Sequence, residues 1–244
     1  MAVGATVAVI VAAVALQVGG NLSDFITLES RKELEASIHQ TESKTTGEVV
    51  VCIAKKSGRY ERSEDLIIVL FSSVFLIITW LFFQRLESDT WGELTMNIGL
   101  FEVISIVLIS IGFTLTLTRF IFPRLVLIFT SMEIRYFNVQ TQASMQFLLH
   151  KTNHTEAETG VMIYVSILER IVSIIGDDAI SDKITESQWS EARDVIITKI
   201  KQDNLVSGVK QGIEKVGALL EEHFPAKPGD KDEVSNKVII FNGP

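Results

Sequence analysis

The chain is poor in cysteine and proline and has no glycine-rich phosphate loop. Its single cysteine, Cys52, excludes an intrachain disulfide and a cysteine-based metal site. Four prolines and 15 glycines in 244 residues leave no room for a low-complexity linker. Neither G-x-G-x-x-G nor the Walker pattern occurs. No Ser/His/Asp or Cys/His constellation is recognisable from spacing. An excess of cations is also missing: 22 Lys+Arg stand against 30 Asp+Glu, a net charge of −8, which excludes a nucleic-acid-wrapping surface. No internal repeat is visible. What abounds is apolar side chain, 47% of residues with mean hydropathy +0.32, too much for a disordered tail protein. Its gathering into long runs is unlike an ordinary soluble enzyme.

The runs predict a membrane hairpin. Leu66 to Phe83 reads LIIVLFSSVFLIITWLFF, without a charge or a polar stripe. At about 1.5 Å per residue it is just long enough to span a bilayer core. Asn97 to Thr118 is the second span. Its one charge, Glu102, sits near the start, within reach of the headgroups; the alternative is an intramembrane functional carboxylate. Trp80 and Trp91 lie near the hairpin ends, as an interfacial belt requires. Lys55, Lys56, Arg59 and Arg62 precede the first span, and Arg119, Arg124 and Arg135 follow the second. The loop carries Arg85 against Glu87, Asp89 and Glu93. The positive-inside rule then places both flanks in the cytoplasm and the loop outside, giving a multi-pass protein of the cell membrane. Phe120 to Met132 stays apolar around Pro123 and Arg124, as an interfacial segment or a kinked continuation of the second helix. Residues 1–20 are rich in Ala and Val. They read as a third span or apolar extension, or as a signal peptide with Ala13-Val14-Ala15 at the cleavage site. No Lys or Arg precedes the run, which disfavours the signal. The triplets Asn21-Leu22-Ser23 and Asn153-His154-Thr155 matter only in a lumenal setting.

The polar segments predict an α/β domain split by that hairpin, residues 27–62 and 133–241. Ser30-Arg31-Lys32-Glu33 fits a capping box ahead of a short helix bearing Leu34 and Ile38. Glu48 to Ala54, EVVVCIA, is a β-branched strand. Cys52 on it reads as a small core residue. After the hairpin, 133–150 is a helix with Phe137, Phe147 and Leu148 available to pack. Val161–Ile167 and Arg170–Ile175 form two strands joined so tightly that they should be antiparallel. Thr185-x-x-Gln188 caps a helix with Trp189, Ala192, Ile196 and Ile200 on one face. Val206, Val209, Ile213, Val216 and Leu220 make the apolar face of another, stopped by Pro225. An isolated two-stranded hairpin is marginal, so the first strand should join the later two in one small sheet covered by helices.

Several of these segments resemble the TPM-domain family, in particular its bacterial membrane branch. The resemblance rests on TTGEVVV at 45–51, TGVMIYVSILERIVSIIGDDAI at 159–180, Trp189, VSGVKQGIEKVGALLEEHFP at 206–225 and PGDKDEV at 228–234. It covers most of the polar sequence from about Ser30 onward. It implies a Rossmann-like α/β sandwich around a small sheet, and a part in assembly or repair of membrane protein complexes. Acid phosphatase activity is ascribed to some plant members, and calcium sites occur in the fold. Two departures stand out. Glu233 is followed by Val234-Ser235 where the family commonly has Leu-Pro. Glu158 replaces a basic residue before the Thr-Gly at 159–160, and with Glu156 it would repel a phosphoester.

Asp177 and Asp178 follow the third strand, where α/β sheets carry sites, and paired carboxylates suit calcium or magnesium. An acidic turn that caps the next segment is the plainer reading. Asp182 and Glu48 are further candidate ligands. Glu48, Glu169, Arg170 and Asp182 are candidate pocket residues, although Glu169-Arg170 also reads as a simple exposed ion pair. His150 and His154 have a spacing that can bind zinc, but read as a solvated loop. His223 reads as a helix C-terminal cation. The resulting expectation is a membrane-anchored, non-enzymatic accessory factor whose partners are the bilayer and another membrane protein. The alternative is a metal-dependent acid-phosphatase-like hydrolase using Asp177 and Asp178.

Overall fold

The computed structural model describes residues 26–83, 86–88, 94–96, 100–116, 125–150, 159–202, 204–227 and 238–244. Residues 1–20, both glycosylation-like triplets, His154, Glu156, Glu158, most of the inter-span loop and residues 228–234 lie outside them. In chain order the elements are α1 (Leu28–Glu42), β1 (Glu48–Ala54), α2 (Glu61–Phe83), β2 (Leu86–Ser88), β3 (Leu94–Met96), α3 (Leu100–Thr116), α4 (Leu125–Ile128), α5 (Met132–Leu149), β4 (Gly160–Ser166), β5 (Ile171–Gly176), α6 (Asp178–Ser181), α7 (Glu186–Lys201), α8 (Leu205–His223) and β6 (Ile239–Phe241). The described residues fall into two compact units: Tyr60–Ser131, and Ile26–Arg59 with Met132–Pro244.

The second unit is an α/β sandwich on a four-stranded mixed sheet of order β5-β4-β1-β6. β1 pairs in parallel with β4, Val51 opposite Ile163, and with β6, Cys52 opposite Ile239. β4 and β5 form the antiparallel pair that the short connection predicts. A parallel neighbour needs a long crossover, and the chain between β1 and β4 supplies it, returning through α5. β1 is buried along its whole length because both faces of the sheet are covered. Val49, Val51 and Ile53 pack in one core with α1, α7 and α8, while Val50, Cys52 and Ala54 pack in another with Val139, Ala143 and Phe147 of α5. That double burial is why the strand reads as an unbroken apolar run.

Local chemistry places the covering helices. α1 starts at the cap Thr27, whose Oγ1 accepts from Ser30 N–H at 3.1 Å, so the helix begins three residues before the expected serine cap. Thr185 N–H donates to Gln188 Oε1 at 2.9 Å, one arm of the predicted box. α8 approaches its neighbours closely: a Cβ at Gly212 would meet Ile196 of α7, and one at Gly217 would meet Thr41 of α1. The 45–48 segment is tied to the end of α8. Thr45 Oγ1–H donates to Phe224 O at 2.6 Å and Thr46 N–H donates to the same oxygen at 3.0 Å. Two separated motifs of the sequence thus meet. The α5 expectation needs correcting: Phe147 is buried, but Phe137 is 69% exposed and Leu148 61%.

The other unit contains α2 and α3, with Phe75 stacked on Phe113 at a 5.9 Å centroid separation, and the two-stranded ladder of β2 and β3. α4 lies on α2, burying Val126 and Leu127. Both predicted spans are largely helical. Among the described residues, however, no helix is long and apolar enough to cross a membrane.

Candidate functional site

Ligands of α/β sheets gather beyond the carboxyl ends of parallel strands. In this sheet that end is formed by Ala54 of β1, Ser166 of β4 and Phe241 of β6. The β1–β4 ladder runs past the strands themselves. Ile167 N–H donates to Ala54 O at 2.9 Å and Leu168 N–H to Lys55 O at 3.0 Å, while Lys55 N–H donates to Phe241 O at 2.9 Å. The chain then turns at 167–170, with Arg170 in the left-handed region at φ 55°.

That turn drives Glu169 inward, where it is 5% exposed. Ser57 N–H donates to its Oε1 at 2.8 Å, and Ser166 Oγ–H donates to its Oε2. Ser57 Oγ lies 2.7 Å from Ser166 Oγ and 2.9 Å from Tyr164 Oη. Each hydroxyl has one proton. Since that of Ser166 goes to the carboxylate, Ser57 must donate to Ser166 and accept from Tyr164. The result is a one-way chain, Tyr164 to Ser57 to Ser166 to Glu169, in which each bond polarises the next. Burial pushes the Tyr164 hydroxyl well above the usual tyrosine range. Glu169 is therefore not the exposed half of an ion pair with Arg170, as one reading of the sequence had it. Its carboxylate locks the segment leaving β1 to the strand turn 112 positions later.

The remaining candidates lie elsewhere. Glu48 starts β1 opposite Gly160 at the amino end of the parallel pair. Asp177 is at that same end, because β5 runs antiparallel; its N–H donates to Gly160 O at 2.9 Å. Its Oδ1 accepts from Asp178 N–H at 3.1 Å as the cap of α6, and Asp182 closes that helix. A seven-residue strand of about 3.3 Å per residue separates Glu48 from the Glu169 end, so the four candidate pocket residues do not converge. Among the described residues no group of three or more His, Cys, Asp or Glu is placed to hold a metal ion. Ser57, Tyr164 and Ser166 were not singled out in the sequence. Their only signal is a polar side chain at or near the end of an apolar strand.

Cys52 is fully buried, and burial pushes its thiol up to about 12 from an ordinary value near 9. Native protein at pH 8 should leave Cys52 unmodified by a disulfide reagent that labels it at once in denaturant. Above pH 9 the unfolded thiol ionises while the folded one stays protonated. Its contribution to stability is thus complete below pH 9 and falls by about 1.4 kcal/mol per pH unit towards pH 12. Cys52→Ala should remove that part of the alkaline slope in denaturant titrations. An unchanged slope would contradict the assignment.

A sequence profile described as the TPM domain matches residues 125–219. No curated protein matches the chain. Among solved structures, the NMR structure of the BA42 protein from the psychrophilic bacterium Bizionia argentinensis is similar in fold. Its TM-score is 0.53 and its sequence identity 22%, covering 90% of this chain and 98% of that one.

Proposed function

We propose that the protein is a TPM-domain accessory factor that its helical hairpin holds in a lipid bilayer, where the α/β unit binds another membrane protein. One observation carries the reading: many apolar side chains of α2 and α3 are exposed. Leu66, Val69, Val74, Ile77, Ile78 and Leu81 of α2 are 48–66% exposed, and Phe101, Ile104, Leu108, Ile109 and Phe113 of α3 are 48–80% exposed. Patches beyond a few hundred Å² signal a membrane or a partner.

The lengths suit a thin or locally thinned bilayer. The uncharged part of α2, residues 66–83, measures about 27 Å and the 17 residues of α3 about 25 Å, against a core of about 30 Å. Such a shortfall costs only fractions of a kcal/mol per Å. The basic flanks favour a cytoplasmic α/β unit. Once tethered, that unit meets other membrane proteins at raised effective concentration, so a weak interface suffices. The hydrolase alternative is the weaker reading, because Asp177 caps α6 and, among the described residues, no group of three or more His, Cys, Asp or Glu is placed to hold a metal ion.

Alkaline carbonate washing tests the anchor. The full chain should stay with the membranes. A variant lacking residues 1–20 and with residues 60–131 replaced by a Gly-Ser linker should move to the supernatant with its helix and strand signal intact. Extraction of the full chain would overturn the anchor. Mild-detergent purification should also recover a defined membrane protein, and repeated isolation of the chain alone would overturn the accessory role.

A further inference from the structure

We propose that the outward face of α5 lies along the headgroup–acyl boundary of the bilayer, so that the α/β unit rests on lipid as well as being tethered to it. This rests on the membrane reading of the hairpin.

One side of α5 is fixed to the sheet. Val139, Ala143, Gln146 and Phe147 are buried, and Ser173 Oγ–H donates to Gln140 Oε1 at 2.9 Å. The opposite side carries a second apolar stripe at helical spacing: Ile134, Phe137, Met145 and Leu148, with Thr141 at its centre. These four large side chains are 52–69% exposed, and Leu149 at the edge of the stripe is 60% exposed. A stable helix in a water-bathed domain needs one apolar stripe, and α5 has two.

The depth at which the chain reaches the start of α5 follows from a contact inside the hairpin unit. Thr130 Oγ1 and Ser63 Oγ are hydrogen-bonded at 2.8 Å, and Ser63 Oγ–H also reaches Phe129 O at 3.3 Å. Residues 129–130 therefore sit beside the first turn of α2. Leu66, where the uncharged run starts, lies three residues further on, about 4.5 Å along the helix. With that run in hydrocarbon, residue 130 is at headgroup level, and α5 begins two residues later.

Charge permits the placement. Glu133 and Arg135 are the only formally charged side chains of α5, and neither belongs to the stripe. The stripe enters the boundary without desolvating a charge. An interfacial helix binds through just such a face, buried about 5–10 Å.

Depth quenching in the full chain tests the proposal. The fluorophore NBD is attached to Phe137→Cys, Met145→Cys, Val74→Cys and, as a water-exposed control, Glu222→Cys. The buried Cys52 thiol serves as the unlabelled background. The variants are reconstituted in phosphatidylcholine–phosphatidylglycerol vesicles with shallow or deep spin-labelled lipids. Shallow quenchers should extinguish residues 137 and 145, deep ones residue 74, and neither residue 222. Quenching at 74 without quenching at 145 would overturn the resting face and leave the hairpin reading intact. Absence of quenching at 74 would overturn both. Efficient cross-linking of residue 145 between copies, without lipid quenching, would overturn the proposal by showing that a second copy covers the stripe.

Discussion

Val51→Asp should leave the α/β unit unfolded. Val51 is fully buried in a central strand, opposite Ile163 of β4. An ionised carboxylate there has no partner and costs several kcal/mol, even after local relaxation. The lost valine burial adds about 2 kcal/mol. Together these approach the whole stability of a domain, about 5–15 kcal/mol. Hydrogen exchange reads the effect: amides of β4 and β5, more than 100 positions downstream, should lose protection with β1. Val69→Asp, on the exposed side of α2, should leave that protection intact while weakening membrane retention. Protected β4 amides in Val51→Asp would contradict a shared sheet.

Glu169→Ala should cost about 3 kcal/mol. The change removes the acceptor of two buried donors, the Ser57 amide and the Ser166 hydroxyl, and each stranded group costs about 1–3 kcal/mol. Glu169→Gln keeps one carbonyl oxygen and should lose about half as much. Chemical denaturation gives both values, and with them the order Ala worse than Gln. Equal and small losses, below about 0.5 kcal/mol, would show that the network adds nothing to the fold.

Strands were the most legible elements. β1 has the predicted bounds because burial on both faces leaves only apolar residues to choose from. β6 was missed: three residues after a charged stretch carry no periodicity, and only pairing with β1 makes them a strand. The apolar residues of α7 and α8 point to the core as their spacing predicts. α5 is the instructive failure. Its sequence holds two apolar stripes, and nothing local says which one meets the sheet. Phe137, Phe147 and Leu148 were all available to pack, yet only Phe147 is buried.

The site was less legible than the fold, for a topological reason. Asp177 and Asp178 were singled out because they end a strand. But the rule concerns the carboxyl ends of the parallel set, and β5 is the antiparallel member. Its end is the amino end of β1 and β4. Glu169 was noticed as part of a turn, while Ser57, its partner from before the hairpin, has no local mark. Only the register that joins the two halves of the chain brings them within 2.8 Å.

The claim on which all of this depends is that register across the interruption. Methyl-labelled full chain in lipid nanodiscs allows it to be read by nuclear Overhauser effects. The account predicts contacts between Val51 and Ile163 and between Ile53 and Val165, alongside Val165 to Val172. Strong Val165–Val172 contacts with none from Val51 or Ile53 to β4 would contradict it.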